Sequence, residues 1–347
     1  MTAKYPLLTF TVMKNEGPFL LEWVAYQKVF GADQILIMTN DCGDGTDLML
    51  DRLDEMGVVR HIPNPCMMGP KMVGKARHPH ILGFEYGKFH KEWRKADYVL
   101  MCDTDEFPVS YVGDGGLDGL MDAAGGPDVL SLCERLFGAG EHVHYDERLI
   151  TERFLECSSS APGRWRANKG IKSISRNRLD IDIRNHRPIV PSEDEAAVHW
   201  VDGAGNPFPA EARTTHIKGL DCRGRYVLGA INHYALRSYE TYIAKVDRGD
   251  AVTNYDNRHD IVYFRRRNRT EDPDNAIQRM VPHVKEERAR LLKDDTLRRL
   301  HFAAIRHHRR KVYRLLEQPG YRALYDEMLV LGAQMSAKVE ESRAAPA

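Results

Sequence analysis

The first hundred residues alternate short apolar runs with stretches in which apolar residues recur at helical spacing. The apolar runs have the length and β-branched content of buried strands, and the longer stretches between them have the 3.6-residue period of helices. The predicted strands are Leu7–Met13, Gln34–Thr39, Val58–Ile62 and Tyr98–Cys102. The predicted helices are Phe19–Phe30, Asp47–Met56 and a long stretch over about 71–95. Alternation of this kind predicts right-handed crossovers and a mostly parallel α/β sheet flanked by helices.

The pattern changes after residue 110. Further strands are predicted at Val129–Leu136, Ile171–Ile174 and Ile231–Leu236, and Ser238 is predicted to cap a helix that ends near Gly249. From Val281 the chain is helical and basic, and Ser336–Ala347 is expected to be a frayed or disordered tail. We therefore expect an α/β domain over 1–250, with two halves that meet at about residue 110. Residues 251–347 are expected to form a basic helical extension with a flexible tail.

Polar clusters follow three of the predicted strands, at Lys14–Glu16, Asn40–Thr46 and Asp103–Glu106. The carboxyl ends of parallel strands lie at one rim of a sheet, so these clusters are expected to meet there. Along an extended segment, Asp103 and Asp105 would project from the same side. Two such carboxylates repel each other unless a cation or a proton lies between them, and hard divalent cations share oxygen ligands with phosphates. The pattern favours a metal and phosphate site, although acidic residues after a strand also cap helices or solvate loops.

Composition narrows the class of protein. Lys plus Arg and Asp plus Glu are 50 each in 347 residues, so the net charge indicates no particular partner, and no nucleic-acid partner is expected. The six cysteines form no C-x-x-C pair, which argues against a structural zinc site. No signal peptide and no apolar run of roughly 20 residues is present, so a cytoplasmic location is expected. Neither G-x-G-x-x-G after the first strand nor a Walker A sequence occurs, which argues against a dehydrogenase-type dinucleotide fold.

These motifs, taken in order, resemble those of a known enzyme family. The motifs follow the first, second and fourth predicted strands. They are Lys14 to Glu16 with the helix that contains Glu22 and Trp23, the run from Asn40 to Thr46, and Asp103 to Phe107. They are similar to the family 2 type glycosyltransferases of GT-A fold, in the branch with an Asp-x-Asp-Glu-Phe motif. Later positions that share the similarity are Phe137-Gly138, Arg153-Phe154, Lys169–Ser173, Asn232-His233-Tyr234, Ser238, Lys245, Arg248 and Gly249. The similarity covers about residues 5–250 and leaves the basic C-terminal helices outside it. It implies a nucleotide-sugar half over about 1–110 and an acceptor half over about 111–250.

The resemblance implies roles for individual residues. The nucleoside would be held by the first two polar clusters, which include Lys14, Asn15, Glu16, Asn40, Asp41, Asp44 and Thr46. Asp103 and Asp105 would grip the ribose and the Mn²⁺ or Mg²⁺ bound to the diphosphate, with His233 as a further metal contact. His186 and His199 are weaker candidates for the same task. Phosphate charge would be balanced by Lys169, Lys172 and Lys245.

The catalytic base is not identified by these motifs. Inverting enzymes of this family need a carboxylate near the acceptor hydroxyl. Glu134, Asp146 and Glu152 all stay open for this role, with Glu134 the marginal choice and a structural ion pair its alternative. Asp105 and Glu106 complete the set of candidate catalytic residues, and Glu106 is expected to orient its neighbours or the acceptor.

The expected activity is metal-dependent transfer of a sugar from a nucleoside diphosphate sugar, with a UDP-sugar as the favoured donor. The acceptor would be a hydroxyl of a glycan or a lipid-linked molecule in cell-surface glycan synthesis. Two alternatives stay open: a phosphohydrolase of the haloacid dehalogenase type, and a non-catalytic nucleotide or carbohydrate binder of the same fold. The basic helices within 281–316 have two interpretations. They contact an anionic surface at the inner face of the membrane or an anionic polymer, or they only present a basic outer face to solvent. The short basic run Arg265–Arg269 is expected to be solvated.

Overall fold

The computed structural model describes residues 3–63, 79–160, 170–191, 197–213, 221–249 and 260–344. Its strands are β1 Leu7–Met13, β2 Ala32–Thr39, β3 Arg60–Pro63, β4 Tyr98–Met101, β5 Glu106–Ser110, β6 Val129–Leu136, β7 Glu156–Cys157, β8 Ile171–Arg176, β9 Trp200–Asp202, β10 Gly229–His233 and β11 Asp272–Pro273. Its α-helices are α1 Gly17–Phe30, α2 Thr46–Glu55, α3 Pro79–Gly87, α4 Lys91–Lys95, α5 Leu117–Ala123, α6 Ile150–Arg153, α7 Tyr239–Arg248, α8 Ile261–Arg267, α9 Val281–Leu291, α10 Asp295–Leu316 and α11 Pro319–Ala344.

Among the described residues, nine strands form one sheet in the order β3-β2-β1-β4-β8-β6-β10-β5, with β9 paired to β6. Strands β3, β2, β1 and β4 are parallel, and β8 runs antiparallel to both of its neighbours. Strand β10 is parallel to β6, and β5 is antiparallel to β10. The predicted α/β class, a mostly parallel sheet flanked by helices with a C-terminal helical region, is confirmed, and it is consistent with a GT-A-like fold.

The central strand and the helix after it follow from local sequence. Strand β1 is buried on both faces, with six of its seven residues buried, as expected for a strand covered by helices on both sides. Helix α1 starts with Pro18 in its first turn and ends at Gly31, whose φ of 124° few other residues tolerate. The Tyr26 hydroxyl of α1 donates to the Pro108 carbonyl at 2.7 Å. This bond ties α1 to β5 beneath the rim of the sheet.

The C-terminal helices share the main hydrophobic core. Leu291 of α9 and Leu297 of α10 belong to the same buried cluster as the apolar residues of α1. Helix α10 also approaches α1 closely at Gly17. A Cβ added at Gly17 would lie only 2.7 Å from the Ala304 Cβ of α10, so a larger residue would not fit there without a shift. These helices therefore complete the core next to the carboxyl end of β1.

Three predicted elements differ in the structure. The stretch predicted as one helix up to residue 95 contains two helices, α3 and α4, separated by residues 88–90, and positions 71–78 lie outside the described residues. The strand predicted over Ile231–Leu236 corresponds to β10, which ends earlier, at His233. The expected disordered tail is wrong up to Ala344, because α11 continues to that residue. The helix is held on the protein by the buried side chains of Tyr325 and Met328. Near its end, the Arg343 guanidinium donates a hydrogen bond to the Thr270 carbonyl at 2.9 Å.

In the part of the chain that the structure describes, none of the helices is both long and apolar enough to cross a membrane.

If α10 is part of the core, then Leu297→Ala should destabilise the protein by about 2–5 kcal/mol, because it removes a fully buried side chain. Chemical denaturation followed by circular dichroism measures this change. Tyr313→Ala on the same helix is the matched control, since Tyr313 is 69% exposed, and its effect should stay within about 0.5 kcal/mol. Equal effects of the two substitutions would show that α10 does not share the core.

Candidate active site

The Asp-x-Asp motif lies in a tight turn between two strands. Strand β4 ends at Met101, the Glu106 amide donates to the Asp103 carbonyl at 3.0 Å, and β5 begins at Glu106. The extended conformation expected for Asp103 to Asp105 is therefore wrong, because the chain turns there and residues from Glu106 onward pair antiparallel with β10. Asp103 and Asp105 flank this turn instead of projecting together from one strand, and their carboxylates contact different cations.

Lys172 bridges the first carboxylate of the motif to Glu106. Its Nζ, on β8, lies 3.1 Å from Asp103 Oδ2 and 3.0 Å from Glu106 Oε2, and its side chain is only 2% exposed. The Asp103 amide also donates to Glu106 Oε2 at 2.9 Å. Burial raises the pKa of Glu106 to about 7 against the opposing effect of Lys172. Burial favours a lower pKa for Lys172, but the Asp103 and Glu106 carboxylates outweigh it and raise that pKa. Lys172 is thus a buried ammonium held between two carboxylates.

Asp105 contacts a different pair of cationic groups. Lys245 Nζ on α7 lies 2.8 Å from Asp105 Oδ2, and His233 Nε2 at the end of β10 lies 3.6 Å from the same oxygen. Lys245 also donates to the Ala235 carbonyl at 2.8 Å. Burial favours a higher pKa for Asp105, but Lys245 and His233 outweigh it and lower the pKa of this carboxyl well below its usual range. Asp105 is therefore ionised and positions both Lys245 and His233.

Glu134 lies on the other side of His233. Its carboxylate contacts His233 Nδ1 and lies 2.6 Å from Arg267 Nη1 of α8. Burial favours a higher pKa for Glu134, but Arg267 and His233 lower it. Burial also favours a lower pKa for His233, but Glu134 and Asp105 raise it to about 10. A carboxylate with a lowered pKa accepts a proton weakly, so the geometry does not favour Glu134 as the base.

Arg267 belongs to the basic run that was expected to be solvated, and for this residue the expectation is wrong. Arg265 and Arg266 are exposed, whereas Arg267 points to Glu134. Its neighbour Asn268 is buried and accepts hydrogen bonds from the Ala139 and Gly140 amides. The end of α8 is therefore fixed against the core, and this fixes Arg267 at the site. The sequence carried no signal of this, because its partner is 133 residues away.

The first two polar clusters do meet at the rim. The Asn15 side-chain oxygen accepts from the Gly43 amide at 2.8 Å, and the Thr46 hydroxyl accepts from the Glu16 amide at 2.9 Å. Asp44 accepts from the Gly17 amide at 3.0 Å. The expectation that these strand ends share one rim is confirmed by these contacts.

Glu16 links this rim to the β10–α7 segment. Its carboxylate contacts Arg248 and lies 2.8 Å from Arg237 Nη1, and Arg237 also donates to the Thr104 carbonyl at 3.1 Å. Burial favours a higher pKa for Glu16, but Arg237 and Arg248 outweigh it and lower it. Asn15, Asp41 and Arg237 all have φ between 49° and 56°, a region that non-glycine residues rarely adopt. Strained backbone of this kind is typical of functional sites.

A small cavity of about 40 Å³ lies beside these residues, between α1, α7 and α10. Its polar and aromatic lining consists of Asn15, Phe19, Asp44, Arg237, Thr241, Lys245, Arg248, His307, His308 and Lys311. The last three come from α10, outside the region of resemblance, so sequence reasoning missed them. Burial lowers the pKa of His308 to about 3, and its ring packs on Phe19. His308 is therefore an uncharged part of the lining, and Lys311 Nζ lies 2.7 Å from Asp247 Oδ2.

Several predicted residues contribute through the main chain. The carbonyl of Lys14 accepts from Arg248 at 3.0 Å, and the Asn40 amide donates to the Met13 carbonyl at 3.4 Å. Asp41 is exposed on its loop. These three lie at the rim, but the structure records no side-chain contact there for Lys14 or Asp41 among the described residues.

The other candidates are distributed as follows. His186 lies beside Lys172, and burial lowers its pKa to about 4. His199 lies at the opposite edge of the sheet, where its amide donates to Asp128 just before β6 begins. Asp146 and Glu152 form ion pairs with Arg148 and Lys285 near the surface, and Lys169 lies outside the described residues.

The arrangement does not form a ready metal site. The Oδ2 atoms of Asp103 and Asp105 face Lys172 and Lys245, and both nitrogens of His233 face carboxylates. A protonated imidazole has no lone pair to offer a metal ion. Among the described residues, no three His, Cys, Asp or Glu side chains are grouped to hold a metal. The side chains as placed do not fit Mn²⁺ or Mg²⁺, so metal binding stays a prediction and no chemical step is assigned to it.

Comparisons with known proteins do not assign a family. No protein-family model matches, and no curated protein matches. Solved structures that are similar include TarS of S. aureus, residues 1–349 in complex with UDP, at 10% identity and a TM-score of 0.29; the match covers 50% of this chain and 47% of that one. A second TarS structure has 9% identity, a TM-score of 0.32 and coverage of 70% and 39%. A third, residues 1–349, has 11% identity, a TM-score of 0.29 and coverage of 97% and 91%. Similarity at this level assigns no activity to the chain.

The raised pKa of His233 predicts a pH-dependent contribution to stability. The contribution is fully present below the unfolded-state pKa of about 6.5 and is lost as pH rises through the folded-state value of about 10. His233→Gln removes the titrating group, so the stability gap between wild type and variant should shrink by on the order of 1–3 kcal/mol between pH 7 and pH 10. Urea denaturation across this range measures the gap. Parallel stability curves for the two proteins would contradict the placement of His233 between Asp105 and Glu134.

Proposed function

We propose that the protein is a glycosyltransferase that moves a sugar from a nucleoside diphosphate sugar, most simply a UDP-sugar, to an acceptor hydroxyl. The proposal is supported chiefly by one observation: the Asp103–Glu106 turn lies at the rim of the sheet among cations from distant parts of the chain. These cations are Lys172, His233, Arg237, Lys245 and Arg248. A rim with this many cationic hydrogen-bond donors suits a ligand with two phosphate groups, which would share the donors with the carboxylates that hold them.

Donor binding is assigned to the loops after β1 and β2. Asn15, Asp44 and Thr46 hold these loops together through their side chains. This leaves the loop surface fixed in shape, so a nucleoside meets a preorganised site and loses less entropy on binding. The acceptor half follows residue 110 in this proposal, as the resemblance implies.

Charge stabilisation at the leaving group is assigned to this chain's own cations. Negative charge develops on the diphosphate as the sugar departs, and preorganised cations stabilise it most where water is excluded. Lys245 and Arg248 border the rim cavity and are held in place by Asp105 and Glu16. Asp105 is thus a positioning residue, because it acts through Lys245 and His233.

Glu106 is assigned a supporting role at the turn. Its carboxylate accepts a hydrogen bond from the Asp103 amide and forms an ion pair with Lys172 of β8. These two contacts fix the turn against β8. Asp146 and Glu152 are each engaged by a cation near the surface, and Glu134 is held ionised by Arg267 and His233. The catalytic base and the stereochemical outcome are therefore not part of the proposal.

A thermal-shift panel of UDP-, GDP- and dTDP-sugars, with Mn²⁺, with Mg²⁺ and with EDTA, tests donor binding and the predicted metal requirement together. We expect one nucleotide to raise the melting temperature. A shift that appears only with a divalent ion would support the metal prediction, and an equal shift in EDTA would contradict it. Stabilisation by none of the donors would overturn the proposed function.

Asp105→Asn should lower kcat by about 100-fold or more, because Lys245 and His233 lose the carboxylate that positions them. Release of the nucleoside diphosphate, measured with an acceptor panel, gives the rate. Asp118→Asn, an exposed change on α5, is the control and should leave kcat unchanged. A variant at Asp105 that retains full turnover would contradict the role of the turn.

A phosphohydrolase would instead release inorganic phosphate from simple monoesters, and a binder would show no turnover.

A further inference from the structure

Two buried nitrogen atoms at the rim cavity have no hydrogen-bond partner among the described residues. They are Nε of Arg237 and Nε2 of His308, and these two residues are only 7% and 8% exposed. Both residues line the cavity of about 40 Å³ between α1, α7 and α10. Four other polar side chains of the lining are engaged within the chain, namely those of Asn15, Asp44, Thr241 and Lys245. A buried polar atom without a partner has lost its hydrogen bonds to water, so each such atom in a folded protein needs a cause.

The two side chains are fixed in place by other contacts. The Arg237 guanidinium carbon lies 3.8 Å from the centre of the Phe19 ring, and its two terminal nitrogens donate to Glu16 and to the Thr104 carbonyl. The His308 ring packs edge-on against the same Phe19 ring, with 5.7 Å between the ring centres. Neither side chain can turn toward another partner without losing these contacts. The unpaired nitrogens are therefore a fixed feature of the cavity lining.

The two nitrogens specify the chemistry of the group that would pair with them. The Nε–H of an arginine only donates, so the group must accept a hydrogen bond from Arg237. Burial, together with the charge of Arg237, lowers the pKa of His308 to about 3, so its imidazole is neutral. In the tautomer protonated at Nδ1, the Nε2 atom accepts a hydrogen bond. A hydroxyl meets both requirements, because it accepts one hydrogen bond and donates another.

The size of the cavity also favours a hydroxyl over a phosphate. One water molecule occupies about 30 Å³ in the liquid, so a cavity of about 40 Å³ has room for one group of that size. A phosphate group is several times larger. A buried water molecule has the same chemistry as a hydroxyl, but the position of the cavity favours a ligand. Asn15 and Asp44, from the loops assigned to the nucleoside, line it together with Lys245 and Arg248, which are assigned to the diphosphate.

We propose that His308 and Arg237 form a subsite for one hydroxyl group of the bound ligand. In this subsite the hydroxyl accepts from Arg237 Nε and donates to His308 Nε2. His308 belongs to α10, so the C-terminal helical extension supplies a specificity-determining residue to the site. The hydroxyl comes from the ribose or from the transferred sugar. This choice of ligand rests on the proposed function, whereas the need for a hydroxyl at this place does not.

Isothermal titration calorimetry of the full-length protein with UDP, 2′-deoxy-UDP, 3′-deoxy-UDP and UDP-glucose tests the subsite. His308→Leu replaces the imidazole by an apolar side chain of similar volume, and the loss of one hydrogen bond should weaken binding by about three- to tenfold. Wild type should prefer the ligand that carries the hydroxyl by the same factor, and the variant should lose this preference. Lost discrimination between UDP and a deoxy-UDP places the ribose in the subsite. Weakening that is confined to UDP-glucose places the transferred sugar there.

Melting temperatures separate this role from a structural one. In the free protein His308→Leu removes an unpaired buried nitrogen, so the variant should melt at or above the temperature of wild type. His301→Leu is the matched control, because His301 is buried on the same helix outside the cavity lining and its Nε2 accepts from Arg288 at 3.1 Å. This control should melt at a lower temperature than wild type and bind each nucleotide with unchanged affinity.

Three results would overturn the proposal or separate it from the proposed function. Unchanged affinity of His308→Leu for every ligand that wild type binds would show that the two nitrogens hold only a water molecule, and it would leave the transferase standing. Weaker binding with a fall in melting temperature as large as that of His301→Leu would assign His308 to packing. If wild type binds none of the nucleotides, the transferase is contradicted, and the His308 ring signals of ¹⁵N-histidine-labelled protein test the subsite with free ribose and glucose. A shift of these signals would then support the subsite, and unchanged signals would overturn it.

Discussion

Charge compensation of buried carboxylates is the constraint on which this site depends. Glu16, Asp105, Glu106 and Glu134 lie at the carboxyl edge of the central strands, and each contacts at least one cationic side chain. An isolated charge in such a place is strongly unfavourable, and removing one partner of a buried pair costs far more than the pair contributes to stability. The partners come from β8, α7, α8 and the segment after β10. Folding of these distant segments and assembly of the rim are therefore one process.

Much of the fold was predictable because burial and periodicity leave a local mark. The bounds of β1 and β6 agree with the prediction, since both strands are rich in apolar residues and all but one residue of each is buried. The Ser238 cap was also predictable, and its hydroxyl accepts the Thr241 amide at 3.2 Å. By contrast, the start of β5 at Glu106 is set by pairing with β10, more than 100 residues later. No local pattern reports such a pairing.

The candidate site was predictable in its residue types and less so in its connections. The Asp-x-Asp motif and the cationic character of Lys172 and Lys245 were visible in the sequence. Which carboxylate each lysine contacts depends on the register of β8 and the direction of α7, and these are tertiary properties. Arg267 was missed because it stands in a run of arginines that resembles a solvated surface. His307 and Lys311 were missed because they follow the region of family resemblance, although α10 brings them to the rim.

The central claim is that the cations at this rim hold a nucleoside diphosphate. Isothermal titration calorimetry of UDP against wild type and Lys245→Met, each with and without Mn²⁺, tests it most directly. We expect one saturable site in wild type and at least about tenfold weaker binding in the variant, because an ammonium that lines the cavity is lost. A melting temperature for the variant close to that of wild type would confirm that the fold is intact. Equal affinity of the two proteins for UDP, or no binding by wild type under any condition, would contradict the claim.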